Sequence, residues 1–214
     1  MAKNTNGILG EISGKVGDVV YTNWKGVPCV RSKPGPRKKK SSPTQLAQQA
    51  SFRIIQTFLP PLGDLLSISF SEQSPKMTAH NAAMQHKLKA AITGNYPELA
   101  IDPARVLISR GSLPNVTSPI AASVLRGKLV FCWGDNSGSG RASASDTAFV
   151  AAWCAAQHQW IYQITSIGRK AGVCVLNVEA FRGKFVETYI GFKSAEPVVR
   201  IADSLYTGMV RVLG

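Results

Sequence analysis

Residues 128–165 read KLVFCWGDNSGSGRASASDTAFVAAWCAAQHQWIYQIT and contain three short runs of β-forming residues. The runs are Lys128–Trp133, Thr147–Cys154 and Trp160–Thr165. A loop rich in Gly and Ser, residues 134–140, separates the first two runs, which is typical of strands that are joined by turns. We therefore expect antiparallel strands in this part of the chain.

The same pattern continues on both sides of this stretch and brings the number of predicted strands to seven. Their spacing of about ten residues favours a sandwich of two antiparallel sheets. We expect a C-terminal antiparallel β-sandwich that is immunoglobulin-like, although the cysteine spacing of a true immunoglobulin domain is not matched. The other four predicted strands are Arg105–Arg110, Val173–Val178, Phe185–Phe192 and Leu205–Val212.

The N-terminal part of the chain predicts a β-hairpin over residues 12–32, with its turn at Asn23–Gly26. A hairpin of two strands is only marginally stable in water, so it must pair with another part of the chain or with a neighbouring subunit. Trp24 is difficult to bury within so small an element and suits a subunit contact. The candidate assembly interface consists of Val19, Tyr21, Trp24, Val27 and Val30.

Positive charge is concentrated near the N-terminus. The 214 residues carry a formal net charge of +13, and residues 1–60 contain ten basic and two acidic residues. The charge peaks in an extended arm whose Pro residues disfavour helix. Such an arm can contact the phosphates of DNA or RNA with strongly salt-dependent affinity, or it can serve as a solvated linker or interface segment. The candidate polyanion-binding residues are Arg31, Lys33, Arg37, Lys38, Lys39 and Lys40.

Helices are predicted between the basic arm and the sandwich. Ser42 and Pro43 suit the start of a helix, and Pro60-Pro61 ends it. Between them, apolar residues recur every four positions, which indicates an amphipathic helix. A second helix is predicted from Thr78 to about Thr93, with Gly94 as its left-handed cap.

These elements give an α+β fold in three parts. Residues 1–41 form a β-hairpin and a basic extended arm, and residues 42–100 form a helical segment. Residues 101–214 form the antiparallel β-sandwich. A length of 214 residues is sufficient for one or two domains with a sizeable core.

The sequence contains no convincing catalytic or metal-binding motif. His80 and His86 are six residues apart, which differs from the i, i+4 spacing of helical metal ligands. No phosphate-binding loop and no nucleophile elbow is present. We therefore predict that the chain is not an enzyme and has no catalytic residues, no metal, no cofactor and no small-molecule substrate. The four cysteines, Cys29, Cys132, Cys154 and Cys174, form no C-x-x-C pair and are interpreted as small buried hydrophobic residues.

The sequence also bears on location. Its longest apolar runs fall short of the ~20 residues that a membrane helix needs, so we expect no membrane span. The first residues are polar and are followed by no apolar segment typical of a secretion signal. We therefore expect synthesis in the cytoplasm without a signal peptide, and a location in the cytoplasm or in a released particle.

Several short motifs occur in a specific order along nearly the whole chain. Together they resemble a functionally uncharacterised family of Bacteroidetes proteins that lack signal peptides, with an N-terminal GKVG…WKG…RS hairpin motif. The resemblance implies no activity and no functional residues. A weaker similarity connects the hairpin and the following helix with phage-associated structural proteins. The motifs are Ser13–Val20, Trp24–Gly26, Val30–Ser32, Thr44–Gln48, Met77–Asn81, Val106–Gly111 and Asp203–Gly208.

The leading functional prediction is a non-enzymatic structural protein. It self-associates through its N-terminal hairpin into a larger assembly, such as a filament, shell or particle, with itself as its main partner. The alternative is a nucleic-acid-binding protein that uses the basic arm at residues 31–40. An adhesion or carbohydrate-binding sandwich is disfavoured because no export signal is seen.

Overall fold

The computed structural model describes residues 3–4, 12–24, 26–35, 40–73 and 77–214. The chain divides into two compact units, residues 1–42 and residues 43–214. The first unit is a small sheet, whereas the second combines helices with two larger antiparallel sheets. The fold is therefore mixed α+β, as the sequence predicts. Within the described residues, no helix is both long enough and apolar enough to cross a membrane.

The first unit is a four-stranded antiparallel sheet. Its strands, in spatial as well as chain order, are β1 (Lys3–Asn4), β2 (Ile12–Val16), β3 (Val19–Trp24) and β4 (Val27–Ser32). The predicted single hairpin over residues 12–32 is wrong, because this range holds three strands and the chain reverses twice. The additional reversal occurs at Gly17-Asp18, where Gly17 has a left-handed φ of +56° that suits a two-residue hairpin loop.

The second unit begins with three helices, α1 (Pro43–Phe58), α2 (Gly63–Ser69) and α3 (Ala79–Ala90). As predicted, α1 begins at Pro43 and ends just before Pro60-Pro61, because proline cannot continue a helix. The N-terminus of α3 is capped by Thr78, whose hydroxyl accepts a hydrogen bond from the backbone N–H of Asn81 at 3.1 Å.

The C-terminal end of α3 differs from the prediction, because the helix stops at Ala90 rather than near Thr93. The next residues instead form β5 (Ile92–Thr93), which pairs with β6 (Ala100–Ile101) in a short antiparallel ladder. Gly94 has the expected left-handed φ, +84°, but it follows β5 and does not cap the helix. The same glycine signal therefore marks a different turn.

Seven further strands form the two larger sheets. One sheet has four strands in the order β10-β9-β12-β13, and the other has three in the order β11-β8-β7. All neighbouring strands are antiparallel. The strands are β7 (Thr117–Leu125), β8 (Lys128–Gly134), β9 (Thr147–Cys154), β10 (Gln159–Gly168), β11 (Val173–Asn177), β12 (Phe185–Lys193) and β13 (Leu205–Arg211).

One predicted strand, Arg105–Arg110, is absent. This segment is irregular, and its backbone is satisfied by groups outside any ladder. The N–H of Ile108 donates to the hydroxyl of Ser204 at 2.8 Å, and the N–H of Arg110 donates to the carbonyl of Ser69 at 3.0 Å. The apolar character of this segment therefore reflects burial beneath the helices, not strand pairing.

The seventh strand is instead β7, which the sequence pattern does not reveal. It contains Pro119, which lacks the N–H needed for a central strand but is tolerated at a sheet edge. Ser118 has a positive φ of 46°, and the register with β8 shifts between Thr117 and Ile120. A bulged edge strand of this kind lacks the regular alternation on which strand prediction depends.

The immunoglobulin-like prediction is not confirmed. In a constant-type immunoglobulin domain, the first two strands pair within the four-stranded sheet. Here the first two strands, β7 and β8, pair within the three-stranded sheet, and the last two, β12 and β13, pair within the four-stranded one. The structure therefore shows two antiparallel sheets of three and four strands, without the strand distribution of a constant-type domain.

Strand β9 is buried on both faces and separates the two hydrophobic cores of the second unit. One core fills the space between the two larger sheets, and the other lies between the four-stranded sheet and the helices. The second unit thus has three layers. Alternate residues of β9 enter the two cores: Ala148, Val150, Ala152 and Cys154 the first, and Phe149, Ala151 and Trp153 the second.

Phe58, at the end of α1, attaches the helical layer to the four-stranded sheet. The centre of its ring lies 4.8 Å from that of Trp153 and 5.0 Å from that of Trp160, in edge-to-face geometry. The indole N–H of Trp160 donates to the backbone carbonyl of Phe58 at 3.0 Å. The same residue thereby joins the two layers by apolar and polar contacts.

A fully buried arginine, Arg169, fixes the loops beside the two sheets. Its Nε donates to a carboxylate oxygen of Asp146 at 3.2 Å, and its other nitrogens donate to Asn136 Oδ1 at 2.8 Å and to the Pro114 carbonyl at 3.0 Å. The guanidinium carbon also lies 4.6 Å from the ring centre of Phe192. Because the partner Asp146 is itself buried, removal of the arginine leaves an uncompensated charge.

We expect Arg169→Met to lower the free energy of unfolding by about 3–5 kcal/mol, the usual cost of breaking a buried ion pair on one side. The control is Arg182→Met, which removes an exposed ion pair with Glu179 and is expected to cost less than about 1 kcal/mol. Urea unfolding followed by circular dichroism measures both values. Equal losses for the two variants would contradict the structural role of Arg169.

A buried lysine on α3 has the opposite effect on stability. Lys87 is 1% exposed, and its ammonium has no hydrogen-bond partner among the described residues. The nitrogen lies 5.3 Å from the ring centre of Phe70. Burial lowers the pKa of Lys87 from its ordinary value near 10.5 to about 7. The protonated form therefore opposes folding.

We expect Lys87→Met to raise the free energy of unfolding at pH 6 by on the order of 1–3 kcal/mol, since it removes a buried polar group without a partner. Between pH 7 and 10 the unfolded wild-type chain binds more protons than the folded one, so wild-type stability rises and the advantage of the variant shrinks. Denaturant unfolding at pH 6, 8 and 10 measures this trend. The exposed neighbour provides a control, Lys89→Met, and an equal gain for that variant would refute the explanation.

Candidate assembly interface

The N-terminal sheet has two faces of different chemistry, which its register defines. Residues directly opposite each other on antiparallel strands lie on the same face, and successive residues alternate between faces. Tyr21 is opposite Val30, and Val19 is opposite both Val16 and Ser32. These residues share a face with Gly14, Asn23 and Pro28.

This first face is called the apolar face and comprises Val16, Val19, Tyr21, Pro28 and Val30. Its two outer valines are strongly exposed, Val16 at 55% and Val30 at 62%, whereas Val19 and Tyr21 are half-buried. Its residues in β2–β4 include no charged side chain. An exposed, uncharged patch of β-branched and aromatic residues is typical of an interaction surface.

The opposite surface is called the basic face. Lys15, Val20 and Arg31 lie in one row across three strands, which places two cations on this face. Trp24 and Val27 form the last pair of the same face and are 50% and 59% exposed. The basic face therefore combines positive charge with an exposed indole. Its members are Lys15, Val20, Thr22, Trp24, Val27, Cys29 and Arg31.

The five residues of the candidate interface are thus divided between the two faces. Val19, Tyr21 and Val30 lie on the apolar face, whereas Trp24 and Val27 lie on the basic face. Trp24 is the last residue of β3, not a central turn residue. The sequence analysis missed this division because it placed Trp24 in the turn, whereas alternation along β3 puts Trp24 on the face opposite to Tyr21.

The candidate polyanion-binding residues are described only in part. Arg31 projects from β4 on the basic face, and Lys33 follows that strand directly. Both side chains are exposed, as is that of Lys40. Arg37, Lys38 and Lys39 lie outside the described residues. The structure therefore places one of the six predicted residues on a defined surface, next to Lys15, which the prediction did not include.

The described residues of the first unit form no buried core. Every side chain described between residues 13 and 42 is exposed or half-buried. A segment of about 40 residues without a core, disulfide or metal is not expected to be stable alone. The hydrogen-bond ladder between β3 and β4 continues one residue beyond the strands, since the N–H of Lys33 donates to the carbonyl of Asp18 at 2.7 Å. Its strands therefore form a regular sheet whose apolar side chains are not enclosed within the unit.

A separate feature of the second unit is an aromatic groove of about 440 Å³ beside α1. Phe58, Ile101 and Trp153 form its apolar part, and Arg53 and His158 are its ionisable residues. The groove therefore offers a place for an apolar group rather than a set of catalytic groups. No sequence pattern indicates this groove, because its residues come from α1, β6, the end of β9 and the turn that follows β9.

The remaining described residues show no metal-like arrangement. Across the described ranges, no group of three or more His, Cys, Asp or Glu residues is close enough to hold a metal ion. Near the aromatic groove, the phenol of Tyr206 donates to Glu187 at 2.5 Å, and that of Tyr189 donates to the Pro103 carbonyl at 2.9 Å. Burial raises the pKa of both phenols, so both stay protonated at neutral pH and serve as hydrogen-bond donors.

Comparison with known families matches residues 11–208 to a family of unknown function (DUF6266). The chain belongs to this family. The match includes β2–β4 as well as almost the whole of the second unit. It confirms the prediction of an uncharacterised family. No curated protein matches the chain.

Proposed function

We propose that this member of the family is a non-enzymatic structural protein that self-associates into a larger assembly through its N-terminal sheet. The observation that carries the proposal is the apolar face, which is exposed and belongs to a unit whose described residues form no buried core. Burial of the face against a neighbouring copy would supply the hydrophobic free energy that the unit lacks.

The sheet also has the geometry for such a contact. A sheet packs stably when each apolar face is covered by another layer at a distance of about 10 Å. A second layer from a neighbouring copy would cover Val16 and Val30 without any change in the ladder. Strand β4 is an edge of the sheet, so an added strand is a second way to join copies.

Three of the seven motifs on which the resemblance to Bacteroidetes proteins rests fall in the segment that forms this sheet. They include Gly14–Gly17, Trp24 and Arg31-Ser32. We therefore propose that the sheet carries the role that members of the family share. A location in the cytoplasm or in a released particle is part of the same proposal.

The test compares two variants of the full chain that introduce the same residue on opposite faces of the sheet. Val30→Lys places a charge on the apolar face, and Thr22→Lys places one on the basic face. Since loss of one buried valine costs about 1.5–3 kcal/mol, Val30→Lys should weaken self-association at least tenfold. Sedimentation velocity over a range of protein concentrations measures the effect.

Thr22→Lys is the matched control, because it changes an exposed residue of the same sheet by the same charge. It should leave the size distribution nearly unchanged. If the wild-type chain sediments as a single copy at all concentrations, or if both variants assemble like the wild type, the proposed function fails.

A second candidate function is binding of DNA or RNA, which the basic face favours. Lys15 and Arg31 lie in one cross-strand row, and the exposed Trp24 is on the same face. Cations that track a phosphate backbone beside an aromatic ring that stacks on bases are the usual combination in single-strand binding. The basic arm would add further phosphate contacts.

For this alternative we expect retardation of DNA or RNA in a gel at low salt, with steep salt dependence. Arg31→Gln should reduce the slope of log affinity against log salt by about 0.7–0.9, the amount expected for one lost phosphate contact. Joint replacement of Lys38, Lys39 and Lys40 by Gln should abolish binding. Replacement of three exposed cations of the second unit, Lys89, Arg141 and Lys170, is the charge-matched control. Absence of retardation at low salt would reject the alternative.

A further inference from the structure

The three-stranded sheet of the second unit has an outer face that no layer of that unit covers. Its inner residues, such as Leu129, Phe131 and Leu176, are buried in the core between the sheets. The alternate residues of the same strands point to the other side. Two cross-strand rows define this outer sheet face: Ile120, Cys132 and Val173 in one row, and Ala122, Val130 and Val175 in the next.

All six residues of the outer sheet face are apolar, and most are well exposed. Ile120 is 60% exposed, Val173 is 44% and Val175 is 43%. The neighbouring Val124 and Leu125 of β7 are 63% and 52% exposed. A solvated sheet face normally carries polar residues at these positions. The absence of polar side chains from both rows therefore indicates a face that is adapted to contact.

We propose that a second copy of the chain packs on the outer sheet face, with the two sheets face to face around a two-fold axis. A sheet face covered by an identical sheet face reproduces the layer packing that already exists inside the second unit, at a separation of about 10 Å. A two-fold arrangement is the commonest way for one surface to match itself.

The charge of the chain restricts where two copies can approach each other. Two chains that each carry a net charge of +13 repel each other over most of their surfaces. The two rows of the outer sheet face contain no charged residue, and the first cation along β8 is Lys128 at one end. Two copies therefore meet there with the least repulsion.

The available area is consistent with this occupant. With Val124 and Leu125, the exposed apolar area is on the order of 500 Å² per copy, as large as the largest patches of monomeric proteins. Two such faces bury roughly 1,000 Å² together, which reaches the lower limit for a specific interface. An interface of this size lies at the low end of the range for protein–protein contacts.

This contact goes beyond the proposed function, because it uses a different surface and does not require the N-terminal sheet. It also has a consequence for the assembly. A single two-fold interface joins only two copies, whereas two separate interfaces on one chain extend the association further. The outer sheet face would then supply the second contact that a filament, shell or particle needs.

A cysteine at the middle of the face provides a direct test with the full chain. Cys132 lies on the central strand β8, and all four cysteines are free thiols. In a Cys29→Ser background it is the only remaining cysteine that is not buried. Burial also raises the pKa of Cys174 to about 12, which keeps that thiol unreactive.

A short bismaleimide linker should therefore connect two Cys132 side chains across the interface and give a covalent dimer on a denaturing gel. The dimer should disappear in the double variant Cys29→Ser/Cys132→Ser. The amount of covalent dimer should also decrease at least tenfold when Val175→Lys is added, because the interface would then bury an unpaired lysine from each copy. No Cys132-dependent dimer at concentrations where the chain self-associates would overturn the proposal.

Sedimentation separates this proposal from the proposed function. Val175→Lys should remove the two-fold contact, whereas the matched change of an exposed apolar residue on β13, Met209→Lys, should not. In a Val30→Lys background, the chain should remain a dimer that Val175→Lys converts to a single copy. If that dimer survives Val175→Lys, or if another molecule rather than a second copy covers the face in the cross-linked product, the outer sheet face is not a self-contact.

Discussion

The second unit is organised by the need to cover both faces of its central sheet. Strand β9 presents apolar residues in both directions, so neither face of the four-stranded sheet can be left in water. The helices cover one face, with Phe58 packed on Trp153 and Trp160, and the three-stranded sheet covers the other. The buried Arg169 joins the loops beside these two sheets through its hydrogen bonds to Asp146 and Asn136.

The other two sheets differ from this central sheet, because each of them leaves an apolar face exposed. The three-stranded sheet uses one face to cover β9 and has an apolar outer face that remains exposed. Among the residues described in the first unit, the N-terminal sheet covers no core, yet it too is apolar on one side. An exposed apolar sheet face promotes non-specific association unless a binding partner covers it. In our two proposals, contact between copies would give both faces the layer that β9 receives from its own chain.

The sequence predicts those elements whose signals are local. The start and end of α1 follow from Pro43 and from Pro60-Pro61, and six of the seven long strands follow from runs of β-forming residues. The errors in strand prediction occur where a segment is buried without pairing in a sheet, or pairs in a sheet without a regular apolar pattern. The segment Arg105–Arg110 is apolar because it is buried, whereas β7 pairs although Pro119 and small residues hide its pattern.

For the candidate interface, the sequence predicted the strand-forming segment but not its two faces. Successive residues of a strand alternate between its faces, and Trp24 belongs to β3 rather than to the predicted turn. The predicted set therefore mixed Tyr21 and Val30 with Trp24, which points the other way. The role of Arg169 was also hidden, because a Gly-Arg-Lys segment in sequence resembles an ordinary exposed turn.

The division of the N-terminal sheet into two faces makes the two candidate functions compatible rather than exclusive. If copies join through the apolar face, Lys15 and Arg31 remain on the outside of the joined layers. Repetition of the assembly would then place these cations at regular intervals along one surface. Phosphate contacts made by linked sites add to one another, because each later contact forms at high effective concentration. Weak binding of a polyanion by one sheet would thus become strong binding by the assembly.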